Sequence, residues 1–160
     1  MFPLLMGCLL VVGSGTAHAR YPDRPTSAVV DTWLVRGDHV VGRSQIGVTP
    51  APTLGMSIKP GGERVLAWRV SNVVHAPTIV MDTDCESGGG FGLGYLTPKG
   101  EDVSSEMSHG GYTQTSVDAG TFRTLYLHIR AKRSGVNLSC VLRATGSGGF
   151  DKVLLDIASR

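Results

Sequence analysis

A chain of 160 residues with a net charge of +2, only 18% charged residues and 22 glycines is long enough for one sizeable core. Its charge is too weak and too evenly spread for an electrostatic nucleic-acid binder, and the tightest basic cluster, Arg130-Ala131-Lys132-Arg133, reads as a solvated strand end. The glycine content, and the lack of any stretch of about 10–15 residues with helical apolar spacing, exclude an α-rich fold and point to short strands joined by tight turns.

Residues 1–19, MFPLLMGCLLVVGSGTAHA, carry no Asp, Glu, Lys or Arg and end in Ala17-His18-Ala19. The apolar run from Phe2 to Val12 is too short to cross roughly 30 Å of hydrocarbon as a helix, so the segment is expected to be a signal peptide cleaved after Ala19. No Lys or Arg precedes the run, which raises the prospect of a start upstream of Met1. A lipoprotein anchor at Cys8 is the competing reading, disfavoured because the apolar run continues past that cysteine. An extended leader, residues 20–27, follows with Pro22 and Pro25, which cannot donate to a sheet ladder. The expected domain spans residues 28–160.

Strand signals begin with Ala28 to Val35, then a turn at Arg36-Gly37-Asp38-His39 and a short apolar stretch around Val40-Val41-Gly42. Thr49 to Thr53 carries two prolines and reads as a loop. From Arg64 to Asn72, Leu66, Trp68 and Val70 alternate with Arg69 and Ser71, which predicts a strand with one buried face. Thr78 to Cys85 places Ile79, Met81 and Cys85 opposite Asp82 and Asp84. Phe91 to Thr97 is a further strand after a glycine-rich connection.

Phe122 to Ala131 points Leu125, Leu127 and Ile129 inward and Thr124, Tyr126, His128 and Arg130 outward. Asn137 to Thr145 puts Leu138, Cys140, Leu142 and Ala144 on one face, and Asp151 to Ile157 buries Val153, Leu155 and Ile157. About seven to nine short strands of this kind predict an all-β, immunoglobulin-like antiparallel β-sandwich. Removal of Cys8 with the signal leaves two cysteines, Cys85 and Cys140, on the apolar faces of their strands. They are expected to pair between strands or between sheets. The loop of about 55 residues so closed is worth roughly 4 kcal/mol in the chain-entropy model.

One ordered set of short motifs is recognisable: Tyr95-Leu96, Gly100-Glu101-Asp102-Val103-Ser104, Gly110-Gly111-Tyr112-Thr113 and Val117-Asp118-Ala119-Gly120. With Arg69-Val70-Ser71-Asn72 upstream and Cys140 to Thr145 downstream, it resembles an immunoglobulin-like module of secreted bacterial proteins. Ser104, Met107 and Ala119 stand where those modules usually have Thr, Val and Pro. The resemblance implies a β-sandwich with a structural or interaction role. The residues also support a plain physical account: Gly100 and Gly120 suit turns of positive φ, Asp102 an Asx turn, and Tyr112 packing at the sandwich edge.

Candidate chemistry is sparse. Asp82, Asp84 and Glu86 are weak metal candidates, since acidic residues at a strand end can converge on Ca²⁺, but they lack the length and glycine placement of a calcium loop. His39, His75, His109 and His128 show no zinc-ligand spacing, and Gly146-Ser147-Gly148-Gly149 resembles a hairpin turn, not a nucleophile elbow. No cofactor is implied. Outward Phe122, Tyr126, His128 and Arg130 form the best candidate binding surface, for a protein or glycan at the cell envelope. The expectation is an exported, non-catalytic module without a membrane span in its mature part. The rival is a small secreted hydrolase or enzyme inhibitor, which needs His128 or His109 beside an acidic partner.

Overall fold

Strands with one apolar face must bury it against another such face, and the chain does this with two five-stranded sheets. The computed structural model describes residues 30–43, 53–72, 76–86, 89–146 and 149–160. The expected signal segment, the leader, the first two residues of the expected domain, His75, Gly88 and Ser147 lie outside them.

In chain order the elements are β1 (Val30–Arg36), β2 (His39–Arg43), β3 (Thr53–Ile58), β4 (Glu63–Asn72), β5 (Ala76–Glu86), β6 (Phe91–Leu96), α1 (Ser104–Ser108), β7 (Tyr112–Val117), β8 (Phe122–Ala131), β9 (Val136–Gly146) and β10 (Gly149–Ser159). The first sheet runs β2-β1-β4-β8-β6 and the second β3-β10-β9-β5-β7. This is the all-β sandwich expected, with ten strands among the described residues in place of about seven to nine. All pairings are antiparallel except β3 against β10, which is parallel, with Leu54 opposite Leu155 and Ile58 opposite Ser159.

Two strands and one helical turn had no sequence counterpart. The sequence marks only a loop ending at Thr53 here, yet Leu54, Met56 and Ile58 line the inner side of the edge strand β3, with only Ile58 fully buried. Tyr112–Val117 is likewise an edge strand, polar except at its ends, so its alternation is faint. The five-residue helix α1 inserts Met107 into the end of the sandwich beside Val103, both buried.

The core follows the predicted parity closely. Leu66, Trp68 and Val70 on β4 and Leu125, Leu127 and Ile129 on β8 are fully buried, and face Leu138, Leu142, Val153 and Leu155 of the second sheet. The Trp68 indole Nε1 donates to Thr32 Oγ1 at 2.6 Å, and that hydroxyl donates to the Arg69 carbonyl at 3.3 Å. The Thr32 N–H donates to Asp151 Oδ2 at 2.9 Å, tying β1 of one sheet to β10 of the other. A second tie joins Thr83 Oγ1 and the Tyr95 hydroxyl at 2.9 Å. Burial raises the Tyr95 phenol pKa, partly offset by the Thr83 hydrogen bond.

Cys85 and Cys140 form the disulfide. It joins neighbouring strands of the second sheet, where the two cysteines sit directly opposite each other in the β5/β9 ladder with Cα atoms 4.1 Å apart. Of the two arrangements expected, the bridge is between strands of one sheet, not between sheets.

Thr32→Val keeps the shape of the side chain and removes the acceptor for a buried indole N–H. We expect it to cost about 1–3 kcal/mol, read as a lower urea midpoint with an unchanged slope. Reduction of the disulfide is expected to lower the unfolding free energy by up to roughly 4 kcal/mol, read as a larger fall in the same midpoint.

Candidate binding face on the first sheet

Because successive side chains alternate, every residue between the buried ones of β1, β4 and β8 is directed outward. The ladders then place them in rows. Trp33 lies opposite Arg69 and Arg69 opposite Thr124, Ser71 opposite Phe122, and Ala67 opposite Tyr126. Further along, Val65 faces His128 and Glu63 faces Arg130, while β6 brings Leu96, Gly94 and Gly92 alongside Tyr126, His128 and Arg130.

The rows make an aromatic and cationic surface. The Trp33 and Phe122 rings meet edge to face with centroids 6.1 Å apart, and the Arg69 guanidinium lies 4.8 Å from the Phe122 centroid. Phe122 remains 49% exposed and Tyr126 37%, with Val65 at 42% beside them. Offset aromatic pairs and guanidinium stacking hold such rings in place while leaving a face to solvent. His128 Nδ1 sits 3.0 Å from Glu63 Oε1, both partly exposed.

The four surface residues read from sequence, Phe122, Tyr126, His128 and Arg130, therefore share one face. The structure adds Trp33, Arg69, Glu63 and Val65. Their contribution depends on strand register, which the single strands did not reveal; Trp33 is followed directly by apolar Leu34 and Val35, so alternation around it is weak.

Asp82, Asp84 and Glu86 all lie on the outer face of β5, as expected, but they do not converge. Asp82 is held by Arg143, with Nη2 to Oδ1 at 2.8 Å and Nε to Oδ1 at 3.0 Å. Among the described residues no group of three or more His, Cys, Asp or Glu side chains is placed to hold a metal ion. Asp82 is held in an ion pair across the β5/β9 ladder. His109 Nδ1 lies 2.7 Å from the Ser105 carbonyl oxygen, and His39 is exposed at the start of β2.

The corner that carries the motif similarity is built as its residues suggested. Gly100 and Gly120 have φ of 84° and 78°, and Asp102 Oδ1 accepts the Ser104 N–H at 2.9 Å. Ser104 Oγ in turn accepts the Tyr95 N–H at 2.9 Å, and Val103 N donates to the Tyr95 carbonyl, so this segment covers part of the β6 edge.

No family model matches the chain, and no curated protein matches it in sequence. Among solved structures, it is similar to a family 123 glycoside hydrolase from Clostridium perfringens, described for glycolipid glycan hydrolysis. The TM-score is 0.51 and the identity 6%, over 82% of this chain and 27% of that one. The chain thus spans little more than a quarter of that hydrolase, and the likeness is one of fold. It is also similar to the VesB protease of Vibrio cholerae, at a TM-score of 0.37 and 11% identity over 77% of this chain and 43% of the protease.

The hydrogen bonds from Ser104 hold the Asp102 carboxyl below the usual carboxylate range. A depressed pKa in the folded state stabilises above the unfolded value and is lost as the pH falls through the folded one. Thermal midpoints of the wild type and Asp102→Asn are therefore expected to differ above pH about 4, with the wild type higher, and to converge well below it. The difference is small, since the carboxylate is fully exposed.

Proposed function

We propose that this chain is an exported, non-catalytic β-sandwich module that binds a partner at the cell envelope or outside the cell. The observation that carries the reading is the outward face of the first sheet. There Trp33, Phe122 and Tyr126 stand among Arg69, His128 and Arg130 in place of the uniformly polar surface a free sheet normally presents. Exposed apolar surface of this kind is costly to keep in water unless something covers it in use.

Export is supported by two independent features. The Cys85–Cys140 disulfide suits an oxidising compartment, and residues 1–19 have the composition of a signal peptide. Among the described residues no helix is long and apolar enough to cross a membrane. The similarity of the Tyr95 to Gly120 motifs to modules of secreted bacterial proteins points the same way.

The rival reading, a small secreted hydrolase, draws on one observation, the His128–Glu63 pair at 3.0 Å. That is the acid–base geometry a histidine-dependent enzyme requires.

Fractionation of producing cells tests the proposal. The expected result is saturable retention of the purified mature chain on envelope material, and a mass that begins at Arg20 and is two hydrogens below the reduced form. A chain that stays in the cytosol with Cys85 and Cys140 as free thiols would sink it. Hydrolysis of a panel of ester, glycoside and peptide substrates that disappears in His128→Ala would favour the rival.

A further inference from the structure

We infer that the strip of the first sheet along β8 and β6, centred on Tyr126, is a subsite for an acidic polysaccharide chain. The inference rests on the binding reading above and gives that surface an occupant.

The first argument is shape. On the outward side of β6, the residues opposite His128 and Arg130 are Gly94 and Gly92. Neither raises a side chain, so the sheet edge beside His128 and Arg130 carries no β6 side chain, and Leu96 follows beside Tyr126. A Cβ at Gly94 would be 3.9 Å from both His128 Cβ and Ser104 Oγ, and so lie in ordinary contact with both. The result is a flat lane along the strand. It suits the face of a sugar ring better than it suits a bulky protein side chain, which seeks a pocket.

The second argument is the chemistry along the lane. Tyr126 offers a partly exposed ring with a hydroxyl, a surface that is apolar on its face and polar at its tip. Glu63 accepts hydrogen bonds, and its carboxylate keeps acceptor capacity beyond the single contact to His128. Arg130 donates several. A ligand dense in hydroxyls uses all three.

The third argument is charge and length. The Lys132 stem lies over Gly92, with Cε 3.3 Å from where a Cβ would be, which brings its ammonium to the lane near exposed Arg130. With Arg69 at the Phe122 end, these cations outnumber the two carboxylates beside the lane, Glu63 next to His128 and Asp102 next to Ser104, so the strip favours anions. Phe122 and Tyr126 sit four residues apart on one face, about 13 Å along the strand. An extended polymer running along the strand touches both. Carboxylated sugars in a linear chain satisfy the shape, the hydroxyl chemistry and the sign of the charge together.

The test uses the mature chain and immobilised polygalacturonate, with dextran as the neutral polymer and duplex DNA as a polyanion without sugar carboxylates. The wild type is expected to bind polygalacturonate, more weakly as salt rises, and to ignore dextran. Tyr126→Ala is expected to lose about tenfold or more, the scale of one aromatic anchor, and Arg130→Glu to lose binding and its salt dependence. Gly94→Leu is the decisive variant. Position 94 lacks a positive φ and has room for a Cβ, so the protein should keep its thermal midpoint while the lane is blocked. Asp84→Ala, on the opposite sheet, should bind as the wild type does.

Three results would overturn the inference: no binding of the wild type to polygalacturonate, folded variants that bind like the wild type, or DNA bound equally tightly. If polygalacturonate fails but envelope material still retains the protein, the binding module stands and only this occupant is wrong. If both fail, both readings fall.

Discussion

The buried indole of Trp68 sets a constraint on which much of the sandwich depends. A fully buried Trp at the middle of β4 contributes a large apolar surface, but its N–H must find an acceptor or cost the protein its desolvation. Thr32 supplies that acceptor only if β1 pairs with β4 in the register that sets Leu34 opposite Trp68 and Thr32 opposite Val70. A slip of one residue would turn Thr32 and Leu34 to solvent and strand the indole. Because the Thr32 backbone is also fastened to Asp151 of β10, the register of the first sheet and the position of the second are fixed at one point.

That register decides what the outside looks like. Once Leu34, Trp68 and Leu125 are buried, Trp33, Arg69, Thr124 and Tyr126 have no choice but to face out. The two outer surfaces of the sandwich then differ in balance. The first sheet gathers Trp33, Phe122 and Tyr126 among cations, whereas the second shows one exposed ring, Phe150, beside Asp82, Asp84, Glu86 and Asp156, with Asp82 bound by Arg143 and Asp156 accepting the Ser139 hydroxyl at 2.7 Å. Polar residues satisfied by neighbours need no partner from outside. Half-exposed Phe122 and Tyr126 have no such local remedy.

The sheet interior was legible in the sequence because alternation is strong where one face is dry and the other wet. Leu66-Ala67-Trp68-Arg69-Val70 and Leu125-Tyr126-Leu127-His128-Ile129 carry that contrast in full, and the structure follows them residue by residue. Gly100, Asp102 and Gly120 were legible for a different reason, since a turn constrains its residues locally. Edge strands are neither. With Met56 and Leu54 only half buried and Gln114 and Thr115 on a rim, β3 and β7 lack the contrast, and the parallel partner of β3 is about a hundred residues distant in the chain. The candidate face was half legible: parity put Phe122, Tyr126, His128 and Arg130 together, but Trp33, Arg69 and Glu63 joined them through cross-strand neighbours, which no single strand encodes.

The setting of the His128–Glu63 pair bears on what such a face can do. General acid–base catalysis gains from a site that excludes water, where charges act strongly and the pKa of the base can be tuned. Here the histidine is about a third exposed and the glutamate more than half, on an open sheet surface, so solvent screens the pair and weakens its hold on a reacting group. The same openness favours recognition of an extended ligand, which needs reach along a surface more than seclusion. Under the binding reading proposed above, the Glu63 carboxylate, oriented by the His128 imidazole near the Tyr126 ring, grips the hydroxyls of the ligand.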